Sequence, residues 1–447
     1  MYASARFIYI IIQHFRSFFK KNKVPFSQKK KIFINFSQKS KMCSRKSSLF
    51  LTTPMKRGII IAMNETIYLD HAATTPLDQD VLKKMLPYFT EHFGNADSPH
   101  ARGRKALAAV DEARDCVAAL LGAKSNEIYF TSGGTEADNW ALLGGVYARR
   151  EEKRTHVVVS SIEHHAVLSA AQRLEKEGFS VTYLPVDKSG RVSLSDVEAA
   201  VSDKTALVAV MAANNETGVI QPVQEIGEIA KAKGALFFSD AVQAAPYMPI
   251  DVNAWGVDML AFSGHKFYGP KGIGALYIRG GVKVEKLVGG GEQERGLRGG
   301  TVNVPSVVGL AAAYEKARAD MEKNNAKLKA LSARFLREIS SLSGVTRNGN
   351  GELALPSVCN LRFEGVENTA FLFNMDLRGI ALAAGSACAS ASVKPSHVLT
   401  AMGLSEREAK ESVRFSFGKN NTEAEIVQSA KATVELVERL RGEGAGK

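Results

Sequence analysis

From Glu127 onward the chain alternates between two rhythms of apolar and polar residues. Short apolar runs bounded by glycine or polar residues predict buried strands at Glu127 to Phe130, His156 to Val159, Val181 to Leu184, Leu207 to Met211, Leu236 to Phe238 and Met259 to Phe262. A glycine-punctuated run from Gly272 to Ile278 predicts a returning segment. Between them, apolar residues recur at helical spacing over Glu136 to Arg149, Val167 to Lys176 and Val223 to Lys231. Strands alternating with helices imply a largely parallel sheet covered on both faces. Ahead of this region lie a short strand, Ile67 to Leu69, and helices over Asp80 to Phe89 and Arg102 to Leu121, the second stopped by Gly122. Beyond it a helical stretch runs from about Ser306 to Ser341, followed by short strands (Ser357 to Phe363) and amphipathic helices (Glu423 to Arg441). The pattern predicts an α/β protein with a large, mostly parallel domain over 78–320. Segments 64–77 and 321–447 would form a smaller α+β domain.

Composition changes this picture at one end only. Charged residues make up 23% and hydrophobic ones 45%, an ordinary globular balance. The net charge of +12 is concentrated in residues 1–64, which hold 14 Lys or Arg and no Asp or Glu. The rest carries 44 basic against 46 acidic residues, so its charge of −2 argues against a nucleic-acid-binding body. Residues 1–63 read as a basic extension outside the fold. Three readings fit it: sequence translated ahead of a start at Met63, an organelle transit peptide, or an arm attracted to anionic surfaces. Its apolar run, Phe7 to Ile12, is too short for a membrane span, which needs about 20 residues. A cytoplasmic location is expected, or an organelle if the extension is a transit peptide.

The four cysteines, Cys43, Cys116, Cys359 and Cys388, show no CxxC or metal-ligand spacing, and a reducing compartment is expected. Cys116 sits in a helical pattern and Cys359 in a strand pattern, both reading as core positions. Cys388 stands among Ala383 to Ser392, a stretch without large side chains. Either a mobile loop or a tight helix-packing turn accounts for such a stretch, and the absence of core-forming residues favours the loop.

Chemistry collects where the predicted strands end, the place where open α/β sheets bind ligands. After Phe130 comes Thr131-Ser132-Gly133-Gly134-Thr135, opening a helix. Glycines and a helix N-terminus there suit a phosphate, although a plain capped helix start accounts for the same residues. After Val159 come Glu163-His164-His165, after Met211 Asn214-Asn215-Glu216, and after Phe238 Ser239-Asp240 with Gln243. After Phe262 come Ser263, His265 and Lys266. A lysine at a strand end is usually a solvated loop residue, and a histidine after a strand is usually structural. Taken together, a phosphate cradle, an imidazole, an amide, a carboxylate for a pyridine nitrogen and a nucleophilic amine fit one ligand: pyridoxal phosphate on Lys266.

The motifs YLDHAATTP (68–76), FGN (93–95), TSGGTEADN (131–139), EHH (163–165), NNETG (214–218), DAVQ (240–243), SGHKFYGPKGIGALYI (263–278), ERGLRGGT (294–301), GSACAS (385–390) and VRFSFG (413–418) resemble those of the NifS/IscS-type cysteine desulfurases. The resemblance runs from about Ile67 to Arg441. It implies an aspartate-aminotransferase-like homodimer using pyridoxal 5'-phosphate. Lys266 would hold the cofactor covalently, Asp240 would bind its ring nitrogen, and Gln243 and Asn215 would lie near its ring hydroxyl. His164 would stack on the ring and help move protons. Gly134, Thr135, Ser263 and His265 would hold the phosphate, with Thr301 reaching the partner subunit's cofactor. Asn215 and Arg414 would bind the substrate L-cysteine, Arg414 through its carboxylate. Cys388 would take the sulfur as a persulfide and pass it to an acceptor or iron–sulfur scaffold protein. No metal site is implied, beyond contact of Cys388 with an iron–sulfur cluster. A selenocysteine lyase or another transferase of the same fold is the alternative activity. Ala96 and Gly299 stand where the family more often has Pro and Ser, and neither change removes a reacting group.

Overall fold

The computed structural model describes residues 66–385 and 395–445. The basic extension and Cys388 therefore lie outside the described residues. The described residues form twelve strands: β1 (Ile67–Tyr68), β2 (Ile128–Thr131), β3 (His156–Ser160), β4 (Ser180–Leu184), β5 (Thr205–Ala209), β6 (Leu236–Asp240), β7 (Met259–Ser263), β8 (Gly274–Ile278), β9 (Val345–Arg347), β10 (Val358–Phe363), β11 (Ile380–Ala381) and β12 (Ser412–Ser416). Seven form one sheet in the order β2-β8-β7-β6-β5-β3-β4. Within it β7, β6, β5, β3 and β4 pair in parallel, and β8 runs antiparallel between β2 and β7.

Apart from its edge strand β4, the sheet is buried on both sides, which explains why its strands read as continuous apolar runs. Successive side chains go to opposite faces. Leu260 and Phe262 of β7 pack into the core shared by Val158, Val208 and Phe237. Met259 and Ala261 pack into a second core with Val157, Val159, Leu207 and Phe238. A third core gathers around the antiparallel β12-β10-β9 sheet and the parallel β1-β11 pair, and includes Cys359, Phe363, Phe371 and Phe415.

Several expected helices differ in extent. The helix expected over Asp80 to Phe89 is two, Gln79–Met85 and Pro87–Thr90. Pro87 ends the first because its ring excludes the residue before it from the helical region and its nitrogen offers no donor, yet it suits the first turn of the second. The stretch from Ser306 to Ser341 divides at Asp320 into Val304–Ala319 and Met321–Glu338. The helix expected from Glu136 starts at Gly134 and passes through a π-helical turn, Trp140–Gly144, before ending at Tyr147. At that turn Trp140 Nε1 donates to the Glu285 carbonyl at 2.9 Å. A side chain at Gly144 would meet the same oxygen at 2.5 Å.

Candidate active site

One cavity opens at the ends of the parallel strands. It is lined by Ala72, Ala73, Gly134, Thr135, Asp138, His164, Met211, Asn215, Asp240, Val242, Gln243, Ser263, His265, Lys266 and Arg414. The sequence-derived residues Gly134, Thr135, His164, Asn215, Asp240, Gln243, Ser263, His265, Lys266 and Arg414 are thus brought together. Thr301 is exposed and is not among the lining residues. Cys388 falls outside the described residues.

Lys266 leaves β7 in a single 3-10 turn, Gly264–Lys266, that is pinned from the N-terminal segment. Thr75 accepts the amide of Tyr268 at 2.8 Å through Oγ1 and donates from the same hydroxyl to the His265 carbonyl at 2.8 Å. Tyr268 itself holds φ +64, a left-handed conformation few non-glycine residues adopt. Lys266 Nζ donates to the carbonyls of Ala72 at 2.6 Å and Ala73 at 2.9 Å. Gln243 Nε2 donates to the Ala72 carbonyl at 3.0 Å. His265 Nδ1 lies 3.1 Å from Thr74 Oγ1.

Asp240, the last residue of β6, is buried and accepts the Val242 amide at 2.8 Å. Burial pushes its pKa up to about 6, against the opposing pull of the Val242 N–H and Lys266. Two further carboxyls lie in the same buried region. Burial and the neighbouring charges of Asp240 and Glu163 drive the Asp138 carboxyl well above the usual range. Glu163 is pushed by burial to about 8, although it accepts Ser160 Oγ at 2.5 Å and the Met211 amide at 2.8 Å.

His164 caps the helix His165–Lys176, its Nδ1 accepting the Ala166 amide at 3.2 Å. Burial, then the Lys266 charge, lower its pKa to about 4. It is therefore neutral near pH 7, and with Nδ1 accepting, its hydrogen resides on Nε2. His265 is lowered to about 4 for the same two reasons.

Arg414, in the middle of β12, is 1% exposed. Its Nη2 pairs with Asp70 Oδ1 and its Nη1 donates to the Asn215 carbonyl, both at 2.8 Å. Asn214 shapes that turn, its Oδ1 accepting the amides of Glu216 and Thr217. At the far flank of the Cys388 segment, Ser396 Oγ donates to Glu216 Oε2 at 2.5 Å. Asp70, Asp138 and the carbonyls of Ala72 and Ala73 were not singled out from the sequence, and Glu163 was named there without its burial. Asp138 and Asp70 stand inside quoted motifs, but a carboxylate in a motif does not announce its burial.

The chain is similar to known proteins over most of its length. The family model described as Aminotransferase class-V matches residues 67–428. The chain is 47% identical over 382 residues to the Clostridium botulinum protein named cysteine desulfurase IscS, covering 85% of this chain and 96% of that one. A solved NifS-like protein superposes with a TM-score of 0.79 at 37% identity, covering 84% of this chain and all of its own. The structure titled SspA in complex with cysteine superposes at 0.71 with 39% identity, covering 80% of this chain and all of its own.

Proposed function

The chain belongs to the aminotransferase class-V family, among its cysteine desulfurases, and from that premise we propose that it removes sulfur from L-cysteine. It would use pyridoxal phosphate held on Lys266, release L-alanine and leave a persulfide on Cys388. The observation that carries this reading is the convergence of Lys266, Asp240, His164 and the Gly134–Thr135 turn on the cavity that Arg414 also lines.

The lining fits the cofactor. Asp138 Oδ1 and Arg414 Nε are buried with no hydrogen-bond partner among the described residues, so hydrogen-bonding capacity remains for a ligand. A side chain at Gly134 would meet Val242 Cγ2 at 2.9 Å, so the turn takes its close course only with glycine there. In this assignment Gly134, Thr135, Ser263 and His265 hold the phosphate, Asp240 the ring nitrogen, and Gln243 and Asn215 the region of the ring hydroxyl. When bound, pyridoxal phosphate supplies an electron sink for the carbon atom it activates.

The chain's own groups do the rest. Arg414 receives the substrate carboxylate while Asp70 and the Asn215 carbonyl fix its plane. The amine of Lys266, partly desolvated, takes the α-proton, and the neutral His164 lies beside it with a hydrogen on Nε2. The Cys388 thiolate attacks the substrate sulfur. A sulfur–sulfur bond forms as the carbon–sulfur bond breaks, and the electron pair of the broken bond ends in a new carbon–hydrogen bond of alanine. The balance is one cysteine and one thiol converted to one alanine and one persulfide, with no outside oxidant.

Exposed Leu86, Phe89 and Phe93, at 51%, 56% and 60%, support a homodimer. An outward-facing Thr301 is what a residue serving the partner subunit's cofactor requires. No helix among the described residues is long and apolar enough to cross a membrane. A cytoplasmic site of action and a sulfur-accepting or iron–sulfur scaffold protein complete the proposal.

The test is to incubate the holoenzyme with L-cysteine and measure alanine, reductant-released sulfide and persulfide mapped to Cys388 by mass spectrometry. Cys388→Ala should keep the bound-cofactor absorbance and form no persulfide. Undiminished sulfide release by that variant refutes the persulfide route.

A further inference from the structure

The Gly134–Thr135 turn has an acid beside it that the assigned chemistry does not use. Glu136 stands in the first turn of the helical run, and its Oε2 accepts the Ser132 amide at 2.8 Å. A carboxylate at a helix start normally answers the positive end of the dipole. Beside a phosphate it has the opposite effect, because like charges repel strongly across a few ångströms of low-dielectric protein. Arg298 meets this charge directly. Its Nε donates to Glu136 Oε1 at 2.8 Å and its Nη2 to Oε2 at 3.0 Å, a two-pronged ion pair with side chains 23% and 13% exposed.

Arg298 is delivered there by a segment fastened to β2, the strand that runs into the turn. Glu294 and Arg295 hold φ +48 and +59, a conformation that persists in non-glycine residues where surrounding contacts over-determine it. Those contacts are present. Both carboxylate oxygens of Glu294 accept from Arg114 at 2.8 Å, and Oε2 also accepts the Phe130 amide at 2.9 Å. The Arg295 guanidinium lies 4.0 Å from the centre of the Tyr129 ring and donates to the Ile128 carbonyl at 2.6 Å. Residues 128–136 and 294–298 are thus fastened together at successive points along β2.

We propose that Arg298 is a positioning residue for the phosphate-holding turn: it neutralises Glu136 and keeps that carboxylate against Ser132, so the turn presents an attractive field to a phosphate group. The inference rests on the assignment of pyridoxal phosphate to this cavity. Glu136 is charged in this setting: burial raises its pKa, but the bonds from Arg298 and Ser132 outweigh burial and hold it below the usual range.

The experiment compares equilibrium binding of pyridoxal phosphate and pyridoxal to cofactor-free protein, followed by absorbance. Both carry the aldehyde that Lys266 captures and only one carries a phosphate. In R298Q the preference for the phosphorylated form should fall roughly three- to thirty-fold. In the double variant E136Q/R298Q it should return to within about two-fold of the wild type, because the repelling charge is gone. E136Q alone should match or exceed the wild type. R298K keeps the charge and loses the fork; it should retain most of the preference, and with E136Q it decides the matter if R298Q does not fold. An unchanged preference in R298Q overturns the inference. So does a double variant no better than R298Q, since a packing role gives no rescue. A wild type that fails to capture pyridoxal phosphate on Lys266 overturns the assigned function and this inference with it.

Discussion

Replacing Asp240 by asparagine in the cofactor-free protein should stabilise it by a margin that grows from about pH 4 and levels off above about pH 6. Asp240 is 5% exposed and its carboxyl is pushed up to about 6, burial outweighing the Val242 amide and Lys266. In the unfolded chain the same group titrates near 3.9. A carboxyl whose pKa is raised by folding favours the folded state fully below the unfolded value, and that contribution is lost as pH rises through the folded value. A shift of about two units corresponds to about 3 kcal/mol, of which roughly half is lost between pH 5 and pH 8. Asparagine has the same shape and no charge, so its stability should not follow this curve. Urea unfolding of both proteins, followed by circular dichroism at intervals from pH 5 to pH 8, should give midpoints that diverge in favour of Asp240→Asn. In the proposed assignment the carboxylate would pair with the positively charged ring nitrogen, so with pyridoxal phosphate loaded the order should reverse. Parallel midpoints across the pH range in the cofactor-free proteins would refute the reasoning, since Asp240 would then ionise at no cost in its buried place.

Two further outcomes are expected. Lys266→Ala should abolish the visible absorbance of the covalently bound cofactor while leaving the far-ultraviolet spectrum unchanged; a variant that still carries it covalently removes Lys266 from its assigned place. Glu163→Gln should already be the more stable form at pH 7, because the unfolded carboxyl ionises near 4.3 while the folded one is pushed to about 8, and its margin should widen by about 1 kcal/mol up to pH 9. Thermal midpoints at pH 7 and pH 9 check this, and equal differences at the two values would contradict it.

The sheet was legible in the chain because its strands are buried on both faces, as Val157 to Val159 and Met259 to Phe262 show. The cavity residues at the strand ends were legible because they follow such runs closely, as Lys266 follows β7, whereas Cys388 and Arg414 were given roles only through the family resemblance. What could not be read is what depends on distant partners. β12 went unpredicted because Arg414 interrupts its apolar pattern, and a buried guanidinium is tolerated only through Asp70 and the Asn215 carbonyl, 344 and 199 residues away along the chain. The burial of Asp138 and Glu163 escaped notice for a similar reason: it comes from packing, which motif spacing does not display. The break at Pro87 was available from the sequence, whereas the π-helical turn at Trp140 reflects a tertiary bond to Glu285.

The contacts that close the cavity are also among the farthest apart in sequence. Lys266 Nζ meets the Ala72 and Ala73 carbonyls across 194 and 193 residues, and His71 Nδ1 lies against the Ser416 carbonyl across 345. Long loops must therefore be closed before these contacts can form, whereas the β7–β8 pairing on either side of the Lys266 turn is local. During synthesis the lysine can be set in place early, but its surroundings stay unfinished until β12 has emerged from the ribosome. A nascent chain that lacks those last strands can offer an amine to an aldehyde without the walls that make the encounter productive.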